Sequence, residues 1–141
     1  MKTLFSFVVG LFFVASATAQ TTNLPQAVSD HFNTELPGTY VHWTQNNNQH
    51  LGQFKNNGKP AGMRYELDGT FVRKETKVQM SDLPQALLTH LVDNNLEASV
   101  VSIFMLETTT TTYLINIGGT DHMYDATGSL MGTSNTQAFT W

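Results

Sequence analysis

One short segment occurs twice in this chain of 141 residues, and it constrains the fold more than any other feature. Residues 23–28 read NLPQAV and residues 82–87 read DLPQAL, so the offset from Leu24 to Leu83 is 59 residues. A histidine follows each copy at the same offset. Self-similarity at one fixed spacing is typical of a duplicated supersecondary unit. The sequence therefore predicts two tandem copies of one unit.

The N-terminal residues have the pattern of a cleaved signal peptide. Lys2 precedes an apolar run over residues 4–14, and the small residues Ala17 and Ala19 stand just before Gln20. A positive start, a short apolar run and small residues are what signal peptidase recognises, and this run is too short to span a bilayer of roughly 30 Å. We predict a signal peptide over residues 1–19, no membrane insertion after cleavage, and a periplasmic or secreted location in a bacterial envelope.

The composition excludes several classes of function. With no cysteine, the chain has no disulfides, no thiolate zinc site and no thiol nucleophile. Seven basic against eleven acidic residues give a net charge of −4, which argues against nucleic acid as a partner. The five histidines show no local ligand spacing, and no serine lies in a nucleophile elbow. We therefore predict no metal site, no cofactor, no catalytic residue and no enzymatic activity.

Each copy of the repeat begins a predicted helix that strands then follow. Leu-Pro suits a first helical turn, and apolar residues then recur at helical spacing. Side-chain oxygens of Asn23 and Asp82 are expected to cap the two helices. Strand-like segments cover residues 39–45, 50–55, 63–67, 71–78, 98–106, 111–117, 122–125, 129–131 and 136–141.

The predicted fold class is α+β, with two tandem helix-plus-antiparallel-strand units. The units cover residues 20–81 and 82–141 and form one compact domain, with the helices on one face of the sheet. Between two predicted strands, Asn56, Asn57 and Gly58 form a tight hairpin turn. In the strand that follows, Arg64 is expected to face water because it alternates with apolar neighbours.

Several of these residues resemble the PepSY-like, β-lactamase-inhibitor-like proteins, a group of small exported proteins frequent in Bacteroidetes. The resemblance covers the mature chain and rests on Leu24-Pro25, on Leu36-Pro37-Gly38, on Trp43 and on the YELDG turn at residues 65–69. The second copy keeps Leu-Pro but lacks Pro-Gly after its helix. The resemblance implies tandem α-β units whose exposed sheet face could clasp a partner protein, and it carries over no inhibitory residue.

Aromatic side chains in the predicted strands are the candidate binding residues. Tyrosine and tryptophan are frequent contact anchors at interfaces, and a sheet with helices on one face leaves its other face for such contacts. The competing interpretation for each is core packing. The candidates are Tyr40, Trp43, Tyr65, Tyr113 and Tyr124.

These observations support two main hypotheses about function. The first is an exported, non-catalytic binding module that engages a protein or peptide in the cell envelope through an exposed sheet face, with inhibition as one form. The alternative is a small-ligand or glycan-binding envelope protein, or a minor hydrolase, with Glu66, Asp68 or Asp121 in a cleft between the two units. A third hypothesis is a structural component that self-associates through edge strands.

Overall fold

The structure is a computed structural model, and it describes residues 23–46 and 48–133. The predicted signal peptide and the predicted strand at residues 136–141 lie outside the described residues. The elements in chain order are α1 (Gln26–Glu35), β1 (His42–Asn46), β2 (Gln49–Asn56), β3 (Lys59–Glu66), β4 (Phe71–Val78), α2 (Gln85–Asp93), β5 (Val100–Glu107), β6 (Thr111–Ile117), β7 (Thr120–Asp125) and β8 (Leu130–Thr133).

A single antiparallel sheet of eight strands, ordered β1 to β8, dominates the fold. The two helices have only 10 and 9 residues. Pairs such as Thr76 with Met105 and Val78 with Ile103 join β4 to β5, so the sheet continues from one half of the chain into the other. The predicted fold class, two tandem helix-plus-strand units, is therefore wrong. Separate units would leave the outer backbone groups of β4 and β5 unpaired, and this strand pair satisfies them.

The turn between β2 and β3 follows from its two residues. Asn56 pairs with Lys59, which leaves Asn57 and Gly58 as a two-residue loop. Their φ angles are 50° and 78°. Positive φ at both central residues is what a type I′ hairpin requires, and asparagine followed by glycine adopts it at low cost. The predicted hairpin is confirmed.

Both helices begin at the residue after a Leu-Pro pair, with Pro25 and Pro84 at their N-caps. Neither helix has a side-chain cap hydrogen bond, so the predicted capping by Asn23 and Asp82 is wrong. The Asp82 carboxylate instead accepts a hydrogen bond at 2.8 Å from the backbone N–H of Gln79, in the turn before α2. Proline at the N-cap position places the helix start without a capping side chain.

Both helices pack on the same face of the sheet. Ala61 pairs with Thr76, Thr76 with Met105, and Met105 with Tyr113, and cross-strand partners share a face. The buried cluster at α1 consists of Val28, Phe32, Phe54, Ala61, Met63 and Tyr65. The buried cluster at α2 consists of Leu83, Leu87, Leu91, Ile103, Tyr113, Ile115 and Tyr124.

We call this side the helix face, and the opposite side the helix-free face. Residues that alternate with the helix-facing ones, such as Gln53, Arg64, Glu75 and Leu114, project from the helix-free face. Among the described residues, the hydrophobic cluster on that face consists of side chains from β5, β6 and β7. No helix of the described residues contributes to it.

Candidate functional site

A buried group of charges lies at the middle of the helix-free face. The Nε atoms of Arg64 and Arg73 donate to the same oxygen, Oε1 of Glu75, at 2.8 and 2.6 Å. The Glu75 side chain is 0% exposed and those of the two arginines 9% and 16%. Charge-assisted bonds of this kind fix the side chains firmly. We call these three residues the ion cluster.

The ion cluster corrects one expectation and shows a group that the sequence reasoning missed. Arg64 is buried, so the prediction that it faces water is wrong. Arg64 and Glu75 are 11 residues apart and meet only because β3 and β4 pair across the hairpin. The sequence signal that could have indicated the ion cluster was the presence of opposite charges at alternate positions of two adjacent predicted strands. Burial was not predictable from that alternation.

The apolar part of the helix-free face lies on the far side of the ion cluster from β1. Phe104, Leu106 and Leu114 are 6%, 3% and 2% exposed, and Met123 packs against them. With so little exposed area they contribute to the stability of the sheet through burial of apolar surface. They offer a partner almost no contact area.

One accessible part of the helix-free face lies on β1 and β2. His42 and Lys55 are exposed, and Thr44, Leu51 and Gln53 are half-buried. These residues alternate with the buried His50, Gly52 and Phe54, which face the helix side. We call these five residues the β1–β2 surface.

The five candidate aromatics do not come together. Tyr65, Tyr113 and Tyr124 are buried on the helix face, at 0%, 7% and 3% exposure. Trp43 is half-buried beside the cluster at α1, and Tyr40, just before β1, is 86% exposed. Their role in binding stays a prediction. Of the five, Tyr40 alone presents most of its ring to solvent.

Tyr65 shows how firmly these buried rings are held. Its hydroxyl lies 2.8 Å from Nδ1 of His31 on α1 and donates to Sδ of Met63 at 3.3 Å. Burial, with a further contribution from the charge of Glu35, raises the pKa of Tyr65 to about 12. The neutral phenol therefore joins α1 to the sheet, which is a structural role.

A small cleft lies on the helix face between α1 and the β4–β5 junction. Its volume is about 240 Å³, smaller than the roughly 300–1,000 Å³ usual for small-molecule sites. It is lined by His31, Glu35, Met63, Phe71, Lys74, Glu107 and Thr108. The carboxylates named in the alternative hypothesis are not among these residues.

Each of those three carboxylates accepts a local hydrogen bond. Glu66 accepts from the side-chain amide of Gln49 at 3.0 Å, and Asp121 accepts from an asparagine amide at 2.6 Å. Asp68 accepts from the backbone N–H of Thr70 at 2.8 Å, and this bond lowers the pKa of Asp68. Turn and strand contacts account for all three.

Two further searches cover only the part of the chain that the structure describes. Within residues 23–46 and 48–133, no three histidine, aspartate or glutamate side chains are placed to hold a metal ion. Over the same ranges, neither helix has the length and apolar character needed to cross a membrane.

Comparison with known proteins finds likeness in structure. No protein-family model and no curated protein sequence matches the chain. A BLIP-like protein from Bacteroides fragilis NCTC 9343 is 17% identical with a TM-score of 0.69, over 83% of this chain and 92% of that chain. A DUF2874 family protein from Bacteroides ovatus ATCC 8483 is 21% identical with a TM-score of 0.70, over 78% and 86%. A protein from Bacteroides eggerthii DSM 20697, whose name provisionally places it in the periplasm, is 15% identical with a TM-score of 0.70, over 78% and 87%.

These likenesses show the fold. The structural neighbours are BLIP-like and DUF2874 family proteins from Bacteroides, so the predicted β-lactamase-inhibitor-like resemblance holds at the level of the fold. The PepSY-like assignment stays a prediction. Fold similarity at such low identity does not carry a function with it.

Proposed function

We propose that this chain is an exported, non-catalytic binding module that engages a peptide or protein segment in the cell envelope through its helix-free face. The observation that carries the proposal is the one-sided placement of the helices. Both pack on one face, and the other face has an accessible polar surface on β1 and β2. A fixed sheet that holds polar side chains in rows is well suited to recognition without chemistry.

The ion cluster supports this surface from beside it. Arg64 pairs with Leu51 of β2 across the sheet, and its bond to Glu75 ties β3 to β4. Residues held by buried charge-assisted bonds lose little further freedom on binding, and preorganisation of that kind lowers the cost of association. The β1–β2 surface therefore rests on a rigid base.

The accessible area indicates the size of the partner. Two strands, β1 and β2, are each about 4.8 Å wide, and eight residues of strand are about 26 Å long. The product is roughly 250 Å², about a third of the ~800 Å² that each partner buries in a standard interface. A peptide or an extended segment fits this area better than a large folded partner.

The fold neighbours motivate the remaining parts of the proposal. One is BLIP-like by name, which makes inhibition of an enzyme the form of binding to test first. Another is named as a periplasmic protein, which agrees with the predicted signal peptide. The absence of enzymatic activity and the exported location stay predictions of this proposal.

Site-directed crosslinking in the native envelope tests the proposal. A photoreactive benzoyl-phenylalanine at Gln53, on the β1–β2 surface, is expected to give one discrete adduct, since it lies within the contact area. The matched control carries benzoyl-phenylalanine in place of Asn33, which is exposed on α1. Adducts at both positions, or at Asn33 alone, contradict the use of the helix-free face.

Inhibition is measured separately. If binding is inhibitory toward a β-lactamase, a stoichiometric amount of this protein lowers the rate at which the purified enzyme hydrolyses a chromogenic cephalosporin. Benzoyl-phenylalanine in place of Gln53 then weakens the inhibition, and benzoyl-phenylalanine in place of Asn33 does not. An unchanged rate rejects this form of inhibition and leaves the crosslinking result to decide on binding.

A further inference from the structure

We propose that a cleft at the start of β1 binds a sugar ring that carries a carboxylate. The cleft has a volume of about 570 Å³, within the roughly 300–1,000 Å³ of small-molecule sites. It is lined by Thr39, Tyr40, His42, Gln53, Phe54 and Lys55. The cleft shares His42, Gln53 and Lys55 with the β1–β2 surface. The inference does not rest on the proposed peptide partner, because it concerns a small ligand in the cleft.

Tyr40 supplies the apolar platform of this cleft. Its side chain is 86% exposed, although burial of a tyrosine ring is energetically favourable. It follows the turn at Gly38, whose φ of +72° is a conformation that glycine adopts readily. A flat ring with few rotatable bonds, placed at the wall of a cleft, offers a stacking surface at low entropic cost. The C–H face of a pyranose ring is a good match for the negative face of an aromatic ring.

The other lining side chains supply hydrogen bonds. Thr39 carries a hydroxyl, His42 an imidazole and Gln53 an amide, and all three can donate or accept. A ligand with several hydroxyl groups satisfies such a set. An apolar ligand would leave these groups without water and without partners, which costs free energy for each of them.

The positive charge of the cleft indicates that the sugar carries an acidic group. Lys55 is exposed, and among the lining residues that the structure describes it carries the only formal charge and none is a carboxylate. The whole chain has a net charge of −4, so this local positive charge stands against the overall sign. A carboxylate on the sugar pairs with the Lys55 ammonium, while the ring lies on Tyr40.

Titration of the chain without its predicted signal peptide with trigalacturonate tests the proposed acidic-sugar site. Uncharged galactotriose is the comparison sugar. Saturation-transfer NMR detects contact with the sugar ring, and the titration gives the dissociation constant. We expect trigalacturonate to bind more tightly than galactotriose. Tyr40→Ala is expected to weaken binding about tenfold, while Tyr40→Phe, which keeps the ring, stays within about twofold.

The lysine has a matched control on the same face. Lys55→Gln is expected to weaken trigalacturonate binding about two- to fivefold, as for loss of an exposed ion pair. Lys77→Gln removes the same charge from an exposed lysine outside the cleft and leaves affinity unchanged. Equal affinity for the two sugars, no binding of either, or equal effects of the two lysine variants overturn the inference. Tighter binding of hexa-aspartate with the same dependence on Tyr40 and Lys55 also overturns it, in favour of an acidic peptide site.

Discussion

At the scale of single residues, the Tyr65 hydroxyl makes the free energy of unfolding decrease as pH rises in the alkaline range. Tyrosine in an unfolded chain ionises near pH 10, whereas burial raises the pKa of Tyr65 to about 12 in the folded protein. The unfolded state therefore loses its proton first, and the stability contributed by neutral Tyr65 is complete below pH 10 and falls as pH rises to 12. Urea unfolding between pH 9 and 12 should show a shallower decline for Tyr65→Phe than for the unaltered chain. Parallel declines would contradict this origin of the pH dependence.

Gly52 is required by the close approach of Trp43. A Cβ atom at Gly52 would lie 2.7 Å from Cζ3 of Trp43 and 3.0 Å from a methyl group of Val41. The indole cannot move freely, because it contacts Phe32 and Tyr65 with ring centroids 5.5 and 5.9 Å away. We expect Gly52→Ala to lower the free energy of unfolding by about 1–3 kcal/mol through overpacking.

The second substitution in a double variant identifies the cause. Adding Trp43→Phe to Gly52→Ala shortens the ring and should recover part of the lost stability, measured by urea unfolding followed by circular dichroism. If the double variant is no more stable than the sum of the two single effects predicts, the indole is not the group that excludes the Cβ atom.

Glu75 is the residue on which the ion cluster depends. Glu75→Gln removes the charge that two buried guanidinium groups share, and loss of one partner from a buried pair costs about 3–5 kcal/mol. The matched control is the exposed pair of Lys59 with Asp82, whose atoms lie 2.7 Å apart. Lys59→Met should change the free energy of unfolding by no more than about 1 kcal/mol. Similar effects for the two variants would show that burial does not strengthen the cluster.

At the scale of elements, neither helix is long enough to be stable alone. Isolated helices below about 12–15 residues are marginal in water, and α1 and α2 have 10 and 9. Their stability therefore comes from packing on the sheet. Leu91→Ala should cost about 2–5 kcal/mol because Leu91 is 0% exposed. Val92→Ala, next to it and 48% exposed, should cost much less in the same unfolding experiment.

Most elements were predictable because their signals are local. The predicted segments 71–78 and 111–117 coincide with β4 and β6, and proline at the helix starts placed α1 and α2 to within a few residues. The pairing of β4 with β5 was not predictable, because it joins strands separated by α2 and depends on register rather than on local residues. The predicted fold class was wrong because the prediction did not include this pair of strands.

The candidate site was less predictable than the elements. Which aromatics are buried depends on which face each strand turns toward the helices, and a one-residue shift in register reverses it. The register shift between Arg64 and Tyr65 is an irregularity of this kind. The predicted strand at residues 39–45 included Tyr40, but β1 begins at His42, so strand alternation could not indicate the exposure of Tyr40.

At the scale of the whole molecule, the continuous sheet should make the chain unfold as one unit. The β4–β5 pair has a full register from Lys74 with Glu107 to Val78 with Ile103, so neither half can open without losing backbone hydrogen bonds of the other. Small domains of this size usually unfold in one cooperative transition. We expect Leu91→Ala, at α2, to lower hydrogen-exchange protection of β2 and β3 by the same free energy as that of β6.

Weakly coupled halves would behave differently in the same experiment. The destabilisation by Leu91→Ala would then remain in β5 to β8, and β2 and β3 would keep their protection. The reciprocal variant, Phe32→Ala at α1, distinguishes the two cases from the other side, because Phe32 is buried in the α1 cluster. In a single cooperative sheet, either substitution lowers the protection of every central strand equally, since global opening is the route by which those amides exchange. Two separate transitions in urea would instead mean that the β4–β5 pair adds continuity without cooperativity.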